Sequence, residues 1–225
     1  MPLVELKDAD PLVSGAYRDI FQHPSDPDLL IKVIRPLFVT RDARRANWYK
    51  SRRGVGPYRI LLGEVEEYFV LHRRGQHELP FIQHFAGIIE TDRGLGMLVR
   101  KVRGRDGGLA PTVADLVRGN GLDADLIARI GALRDDLIRH HVVFGDISAS
   151  NIVEAADAAH GHRLVIIDGL GDRLWLPVNS LSLTFYRAYC DRRFARMMAA
   201  LREIDRSRAA AEPVPAGGGP GLLQG

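Results

Sequence analysis

Two short segments in the second half of the chain contain the oxygen-bearing side chains that phosphoryl transfer requires. The first, VFGDISASNIV, places Asn151 five positions after Asp146, and the second, RLVIIDGLGD, ends an apolar run with Asp168 and a glycine. Phosphoryl transfer needs one carboxylate at the acceptor hydroxyl, and an amide oxygen and a second carboxylate as metal ligands. We therefore expect a catalytic role for Asp146 and a metal site at Asn151 and Asp168.

A β-hairpin is predicted between these two segments, with short β segments around Ile152 and Val165–Ile167. Because the two ends of a hairpin lie together, Asn151 and Asp168 could share one ion. An Asp and an Asn at this spacing are also common in turns and helix caps, so a purely structural role stays open. A leucine-striped helix before the loop and an Asp-Gly after a buried run favour a nucleotide site.

The rest of the second half is predicted to be mainly helical. Thr112 and Asp115 form a capping box for a short helix, and Asp123 can cap a longer one. An apolar stripe on the longer helix must face a core: Leu126, Ile130, Leu133 and Leu137. A last helix is expected from about 183 to 206, carrying Phe185, Tyr189, Met197, Leu201 and Ile204. The polar, glycine-rich residues 104–108 are typical of a flexible hinge before these helices.

The first half is predicted to form an antiparallel sheet with one helix. Strand signals run from Val13 to Ile34, and the buried run LLIKVI contains Lys32; further strands are expected over 85–90 and 96–102. A helix is indicated between them by the spacing of Leu62, Val65, Phe69 and His72. We expect an α+β fold: a sheet-based lobe over residues 1–102, a helical lobe over 103–208 with the site at their junction, and a disordered tail over 209–225.

The order of these motifs resembles the protein-kinase-like superfamily, where a catalytic loop of the H-R-D-x-x-x-x-N type precedes a D-F-G element. It is most similar to the YrbL-like family of PhoP regulatory network proteins, which are small and kinase-like. The similarity rests on DLLIKVI with a basic insertion after it, GIIETDRGLGMLV, and SNIVE followed by VIIDGLGD, and it extends from about Val13 to Arg202. It implies a two-lobed kinase-like fold with a small antiparallel-sheet N-lobe and a reduced helical C-lobe.

The resemblance also implies roles for residues outside the Asp-Asn-Asp set. Lys32 would contact the phosphates of ATP carried with Mg²⁺, Glu64 would be the helix partner of Lys32, and Gly15 would lie in a reduced phosphate loop. Two alternatives stay open. Lys32 could be a charge that protects an edge strand, and Glu66 or Glu67 could take the place of Glu64.

Departures from the kinase pattern leave two functions open. Phe144 and Gly145 stand where protein kinases have His and Arg, Ser148 replaces a loop lysine, and D-F-G reads D-G-L. The first hypothesis is an ATP- and Mg²⁺-dependent phosphotransferase that acts on a small-molecule or surface-group hydroxyl, because the chain has no A-P-E element for a peptide substrate. The alternative is a pseudokinase, a nucleotide-binding or scaffold regulator that works by binding a partner.

Composition and charge set the remaining limits. The 225 residues are 46% hydrophobic and 26% charged, which is ordinary for a globular protein. The single cysteine, Cys190, cannot form an internal disulfide, and no secretion signal is recognised, so we expect a cytoplasmic protein. No apolar run reaches the roughly 18 residues of a membrane span, and no His or Cys spacing predicts a zinc site.

Basic residues are concentrated between residues 40 and 60, although the formal net charge is only +3. They are Arg41, Arg44, Arg45, Lys50, Arg52, Arg53 and Arg59. One interpretation is a solvated insertion, and the other is a patch that recruits an anionic acceptor. The small net charge and the few aromatic residues nearby disfavour a nucleic-acid partner.

Overall fold

The computed structural model of the chain describes residues 3–35, 58–76, 78–157, 161–172 and 178–211. The predicted basic patch lies outside these residues except for Arg59, and so does the tail from residue 212 onwards. Across the described ranges, the helices are all too short or too polar to cross a membrane.

The first half folds into a five-stranded antiparallel sheet with the order β1-β2-β3-β5-β4. Its strands are β1 (Val13–Ser14), β2 (Arg18–Gln22), β3 (Leu29–Ile34), β4 (Phe85–Thr91) and β5 (Gly94–Arg100). The run LLIKVI forms β3, which lies between β2 and β5 and is buried along almost its whole length. The alternative that Lys32 protects a sheet edge is therefore wrong, because its strand is paired on both sides.

Helix α1 (Arg59–Arg73) packs against this sheet. The stripe predicted for it is wrong at three positions, because Leu62 and Phe69 are 42% and 66% exposed and His72 is exposed as well. The face that is buried also contains two carboxylates, so it does not follow the apolar pattern. Its buried residues are Leu61, Glu64, Val65, Glu67 and Leu71.

The segment that joins the two halves, for which the sequence predicts a hinge, forms a hydrogen-bonded turn. The backbone N–H of Gly104 donates to the carbonyl of Gly108 at 3.2 Å. The guanidinium of Arg103 donates to the carboxylate of Asp28 at 2.6 Å, which ties the turn to the β2–β3 connection. The second of these bonds connects the turn to the sheet.

The second half is mainly helical, as the sequence predicts. It contains α2 (Val113–Asn120), α3 (Ala124–His140), the hairpin of β6 (Ile152–Asp157) and β7 (Gly161–Ile166), α4 (Val178–Leu181) and α5 (Leu183–Ala211). The capping box of Thr112 and Asp115 is formed, and the Asp123 carboxylate accepts from the N–H of Leu126 at 2.7 Å. The predicted stripe of α3 is confirmed, since all four of its residues are buried: Leu126, Ile130, Leu133 and Leu137.

Helix α5 closes the core of the helical lobe. The apolar stripe predicted for it is wrong at Phe185, which is 64% exposed; the neighbouring Tyr186 is buried instead. The helix continues to Ala211, so residues 209–211 of the expected disordered tail are helical. The side chains of α5 in the core are Tyr186, Cys190, Phe194, Met197 and Leu201.

Candidate functional site

A cavity of about 680 Å³ lies between the sheet and the helical lobe. This volume is within the range of sites for small molecules and cofactors. Its walls combine an apolar part and a polar part, which suits a ligand with one apolar and one charged end. The apolar residues include Ile20, Leu30, Val102, Leu109, Val153 and Ile167. The polar ones include Arg18, Lys32, Asp146, Asn151 and Asp168.

The loop between α3 and β6 holds Asp146 and Asn151 in a fixed relation. The side-chain amide of Asn151 donates to the backbone carbonyl of Asp146 at 3.0 Å and to its carboxylate oxygen Oδ2 at 3.1 Å. Because the NH₂ group of Asn151 is used in these bonds, its carbonyl oxygen Oδ1 is the atom left to face a ligand.

Backbone hydrogen bonds bring Asp168 next to this loop. The N–H of Ile167 donates to the carbonyl of Asn151 at 2.9 Å, and the N–H of Asp146 donates to the carbonyl of Gly169 at 3.1 Å. The hairpin of β6 and β7 makes this possible, since its register pairs Ile152 with Ile166. The site residues expected at the two ends of the hairpin therefore meet.

Gly169 is required by the closeness of these segments. Its φ is +86°, a left-handed conformation that other residues adopt only at a cost. An added Cβ would lie 2.8 Å from the Cβ of Asp146, 3.1 Å from Cε2 of Phe144 and 3.2 Å from Nδ2 of Asn151. A larger side chain would push the two halves of the site apart, which explains the glycine after Asp168.

Two hydroxyl groups of α5 and one carboxylate of α1 form hydrogen bonds with the backbone of residues 142–145, just before Asp146. The hydroxyl of Tyr186 donates to the carbonyl of Val142 and accepts from the N–H of Phe144. The hydroxyl of Tyr189 donates to the carbonyl of Gly145 at 2.6 Å. From α1, the carboxylate of Glu67 accepts from the N–H of Val143 at 2.8 Å.

The resemblance to kinases implies a pair of Glu64 with Lys32. In the structure, Glu64 pairs instead with Arg18 of β2. Nη1 of Arg18 donates to Oε2 of Glu64 at 3.1 Å, and Nη2 donates to Oε1 of the same carboxylate. Nη2 also donates to Oδ1 of Asp168. Lys32 instead donates to the backbone carbonyl of Ile167. Glu66, one of the alternatives to Glu64, is exposed and lies outside the site.

Burial and charge act against each other in this cluster. Burial raises the pKa of Glu64 to about 7 in spite of the neighbouring Arg18. Burial lowers the pKa of Lys32, although Glu64 and Asp168 favour its charged form. For Asp168 burial would raise the pKa, but the positive charges of Arg18 and Lys32 outweigh it and hold the pKa below the usual value. Asp168 is therefore an anion at neutral pH, as a metal ligand must be.

The short turn between β1 and β2 lies at the mouth of the cavity. Gly15 and Tyr17 line the cavity, and the N–H of Gly15 donates to the carbonyl of Arg18 at 2.8 Å. The guanidinium of Arg35 donates to the carbonyl of Gly15 at 3.2 Å. Gly15 therefore lines the cavity, and its role at a phosphate stays a prediction.

Arg18 is the site residue that the sequence did not reveal. Its contacts with Glu64 and Asp168 span 46 and 150 positions along the chain. The one signal was strand alternation: Arg18 and Ile20 share a face, and pairing of that strand with LLIKVI brings this face next to Lys32. Across the described ranges, no three His, Cys, Asp or Glu side chains are grouped so that they could hold a metal ion.

Two solved structures of protein kinases are similar to the chain at low sequence identity. The kinase domain of PknI from Mycobacterium tuberculosis is 16% identical with a TM-score of 0.44, and the match covers 71% of this chain and 57% of that one. Rad53 in complex with AMP-PNP is 15% identical with a TM-score of 0.48, and the match covers 88% of this chain and 46% of that one. The chain therefore spans about half the length of these structures.

A comparison with curated proteins finds no match. The model of one protein family, described as PhoP regulatory network protein YrbL, matches residues 4–202. This match confirms the family resemblance predicted from the motifs, and it covers most of the 225 residues. The chain belongs to the family of the PhoP regulatory network protein YrbL.

Proposed function

We propose that this protein is a phosphotransferase that uses ATP and Mg²⁺ to phosphorylate a hydroxyl group on a small molecule or on a surface group. The observation that carries the proposal is the meeting of Asp146, Asn151 and Asp168 at the polar part of the cavity. The NH₂ group of Asn151 is bonded to Asp146, which leaves its carbonyl oxygen as an acceptor, and the lowered pKa of Asp168 keeps that carboxylate ionised.

The residues present fit a magnesium ion carried by ATP. Asn151 Oδ1 and Asp168 Oδ2 are the two hard oxygens that would hold it, since the hydrogen bonds to Asp168 from Arg18 and Gly169 both end on Oδ1. Bound Mg²⁺ would neutralise negative charge on the phosphate oxygens during transfer. The apolar walls of the cavity would cover the nucleoside, and a cation of the polar part, Lys32 or Arg18, would add positive charge at the phosphates.

Asp146 would orient the acceptor hydroxyl and take its proton. Its side chain is 30% exposed, so an acceptor can reach it, and it is held by the amide of Asn151. The guanidinium of Arg193 on α5 lies 3.7 Å from Oδ1 of Asp146. A cation at this place, where Ser148 replaces the lysine of protein kinases, supports an acceptor that carries negative charge of its own.

A thermal-shift and hydrolysis experiment tests this proposal. Mg²⁺-ATP at millimolar concentration is expected to raise the melting temperature of the wild type by mass action, and Asp168→Ala to abolish the shift. Asp146→Asn is expected to keep the shift and to lose ATP hydrolysis, with water standing in for the acceptor. Asp135→Asn, at an aspartate of α3 whose side chain is 60% exposed, is the matched control and should change neither. A melting temperature that does not respond to Mg²⁺-ATP would refute nucleotide binding.

A second candidate is a nucleotide-binding regulator without turnover. It is supported by the ion pair between Arg18 and Asp168, by Ser148 in the loop, and by the description of the family as part of a regulatory network. This candidate predicts that the wild type binds Mg²⁺-ATP but hydrolyses it no faster than Asp146→Asn does. The same two assays therefore separate the enzyme from the regulator.

A further inference from the structure

We infer that the cation held by Glu64 for binding the nucleotide phosphates is Arg18 of β2, and that Lys32 instead fixes the strand before Asp168. This inference rests on the proposed nucleotide site and names a further phosphate-binding residue in it. Arg18 and Lys32 both line the cavity, so the question is which of them is positioned to bind phosphate oxygens.

The sheet places the two cations side by side on one face. In the register of β2 and β3, Arg18 lies opposite Ile34, and Ile20 lies opposite Lys32. Residues directly opposite each other and residues two positions apart in a strand share a face of the sheet. Arg18 and Lys32 are therefore diagonal neighbours, and either could in principle reach the carboxylate of Glu64.

Arg18 is the cation that Glu64 holds. Two nitrogens of one guanidinium donate to the two oxygens of one carboxylate, a bidentate pair that fixes the plane of the guanidinium. The side chains of Arg18 and Glu64 are only 8% and 2% exposed, so water competes little with this pair. A guanidinium fixed in this way loses little side-chain entropy when it binds a phosphate.

The guanidinium keeps donors for a ligand. An arginine has five N–H groups, and three of those of Arg18 donate to Glu64 and Asp168. The structure shows no bond from the Nε–H or from the second Nη1 hydrogen to any described residue. These two hydrogens are free to donate to phosphate oxygens while the pair with Glu64 stays intact.

Lys32 is engaged differently. Its ammonium donates to the carbonyl of Ile167, the residue before Asp168, and the residue is 2% exposed. Burial also disfavours its charged form, whereas a guanidinium stays charged in proteins. The geometry thus gives Lys32 the role of joining β3 to the strand end that carries Asp168.

Arg18 could alternatively act as a latch that blocks Asp168 until it is displaced. The bonding of Asp168 argues against this role, because the N–H of Gly169, at 2.6 Å, and Nη2 of Arg18 both donate to Oδ1. Oδ2 remains available for a metal ion while Arg18 stays in place. The two roles predict opposite effects on affinity, since removing a latch would strengthen the binding of Mg²⁺-ATP and removing a phosphate ligand would weaken it.

Titration calorimetry with two ligands tests the inference. ATP and adenosine, each with Mg²⁺, are titrated into the wild type, Arg18→Met, Arg18→Lys and Lys32→Met. Arg18→Met is expected to weaken ATP binding about 10- to 100-fold and to leave adenosine binding within about twofold, because adenosine has no phosphates. The ATP affinity of Arg18→Lys should lie between those of the wild type and Arg18→Met. Lys32→Met should weaken ATP binding less than Arg18→Met does.

Two further variants separate phosphate binding from folding. Arg18→Met leaves the buried Glu64 without its partner, so Arg18→Met/Glu64→Met removes both charges and should show the same selective loss of ATP binding. Arg93→Met is the matched control: its guanidinium lies 5.0 Å from the ring centre of Phe21, on the opposite face of the sheet from Arg18. It should leave the ratio of the two affinities unchanged.

Two results would overturn the inference. One is an ATP-to-adenosine affinity ratio that Arg18→Met and the double variant leave unchanged, which includes an equal loss for both ligands, and the other is tighter binding of ATP, which would indicate a latch. If the wild type binds ATP and adenosine and the variants give either of these results, only the role of Arg18 is contradicted. A wild type that binds neither ligand contradicts the proposed function itself, and the inference with it.

Discussion

Replacing Glu67 by glutamine is expected to stabilise the protein at high pH and to have almost no effect at low pH. Glu67 is 4% exposed and accepts one hydrogen bond, from the N–H of Val143. Burial raises the pKa of its carboxyl group from the usual 4.5 to about 7, although the bond to Val143 opposes this change. Since one pKa unit corresponds to about 1.4 kcal/mol, ionising Glu67 costs about 3 kcal/mol more in the folded protein than in the unfolded chain.

The direction of the pH dependence follows from proton binding. Between pH 4.5 and about 7 the folded protein holds a proton on Glu67 that the unfolded chain has released. The free energy of unfolding therefore falls as the pH rises through this range, and it is lowest above it. Glutamine keeps an oxygen to accept from Val143 and never ionises, so Glu67→Gln should escape this loss and be more stable than the wild type by up to about 3 kcal/mol at pH 8.

Urea denaturation of wild type and variant at about pH 4, below both pKa values, and at about pH 8 measures this difference. Glu64 has a similarly raised pKa, but it is present in both proteins and cancels in the comparison. Glu66→Gln is the matched control, because Glu66 is the exposed neighbour on the same helix; its effect should stay within about 0.5 kcal/mol at both pH values. If Glu67→Gln were less stable than the wild type at pH 8, the ionised carboxylate would stabilise the loop and burial would not dominate.

Four further variants test the packing of the site and of the helices, each by chemical denaturation. Gly169→Ala should lower the free energy of unfolding by about 2 to 4 kcal/mol, because it combines a left-handed φ with a Cβ 2.8 Å from another Cβ. Gly131→Ala, where an added Cβ meets nothing within 4 Å, should raise it by about 0.5 to 1 kcal/mol. Equal effects of the two would refute the steric argument. Tyr186→Phe should cost about 1 to 3 kcal/mol, since it leaves a buried N–H of the loop unpaired; an unchanged value would mean that water replaces the hydroxyl. Phe69→Ser should change the free energy of unfolding by no more than about 0.5 kcal/mol, because Phe69 is 66% exposed. A larger loss would indicate that Phe69 is buried in the core.

The sequence predicted the elements whose burial depends on local pattern alone. The apolar residues of α3 recur at helical spacing and are buried, and the run LLIKVI is a central strand. Helix α1 was misjudged because Glu64 and Glu67 occupy its buried face. Their burial depends on Arg18 and on the N–H of Val143, which are far away in the sequence, and no periodicity of apolar residues can encode such partners.

The same difference between local and long-range contacts explains why the sequence indicated three residues of the candidate site and missed a fourth. Asp146 and Asn151 lie in one short loop, and the hairpin of β6 and β7 brings Asp168 to them, so local motifs were enough. Arg18 is separated from Asp168 by 150 positions and approaches it only through the pairing of β2 with β3. Long-range contacts between charged residues need the register of the sheet, which the sequence leaves open.

A single turn of α1 connects the two parts of the site, and this couples their geometry. Glu64 accepts from Arg18 on the side of the sheet, and Glu67, one turn further along the helix, accepts from the N–H of Val143 before the loop of Asp146. The backbone of Gly63 lies against Gly171, so closely that any side chain at Gly171 would collide with it. Because all three contacts lie within one turn, displacing this turn would disturb Arg18, the loop before Asp146 and the segment after Asp168 together.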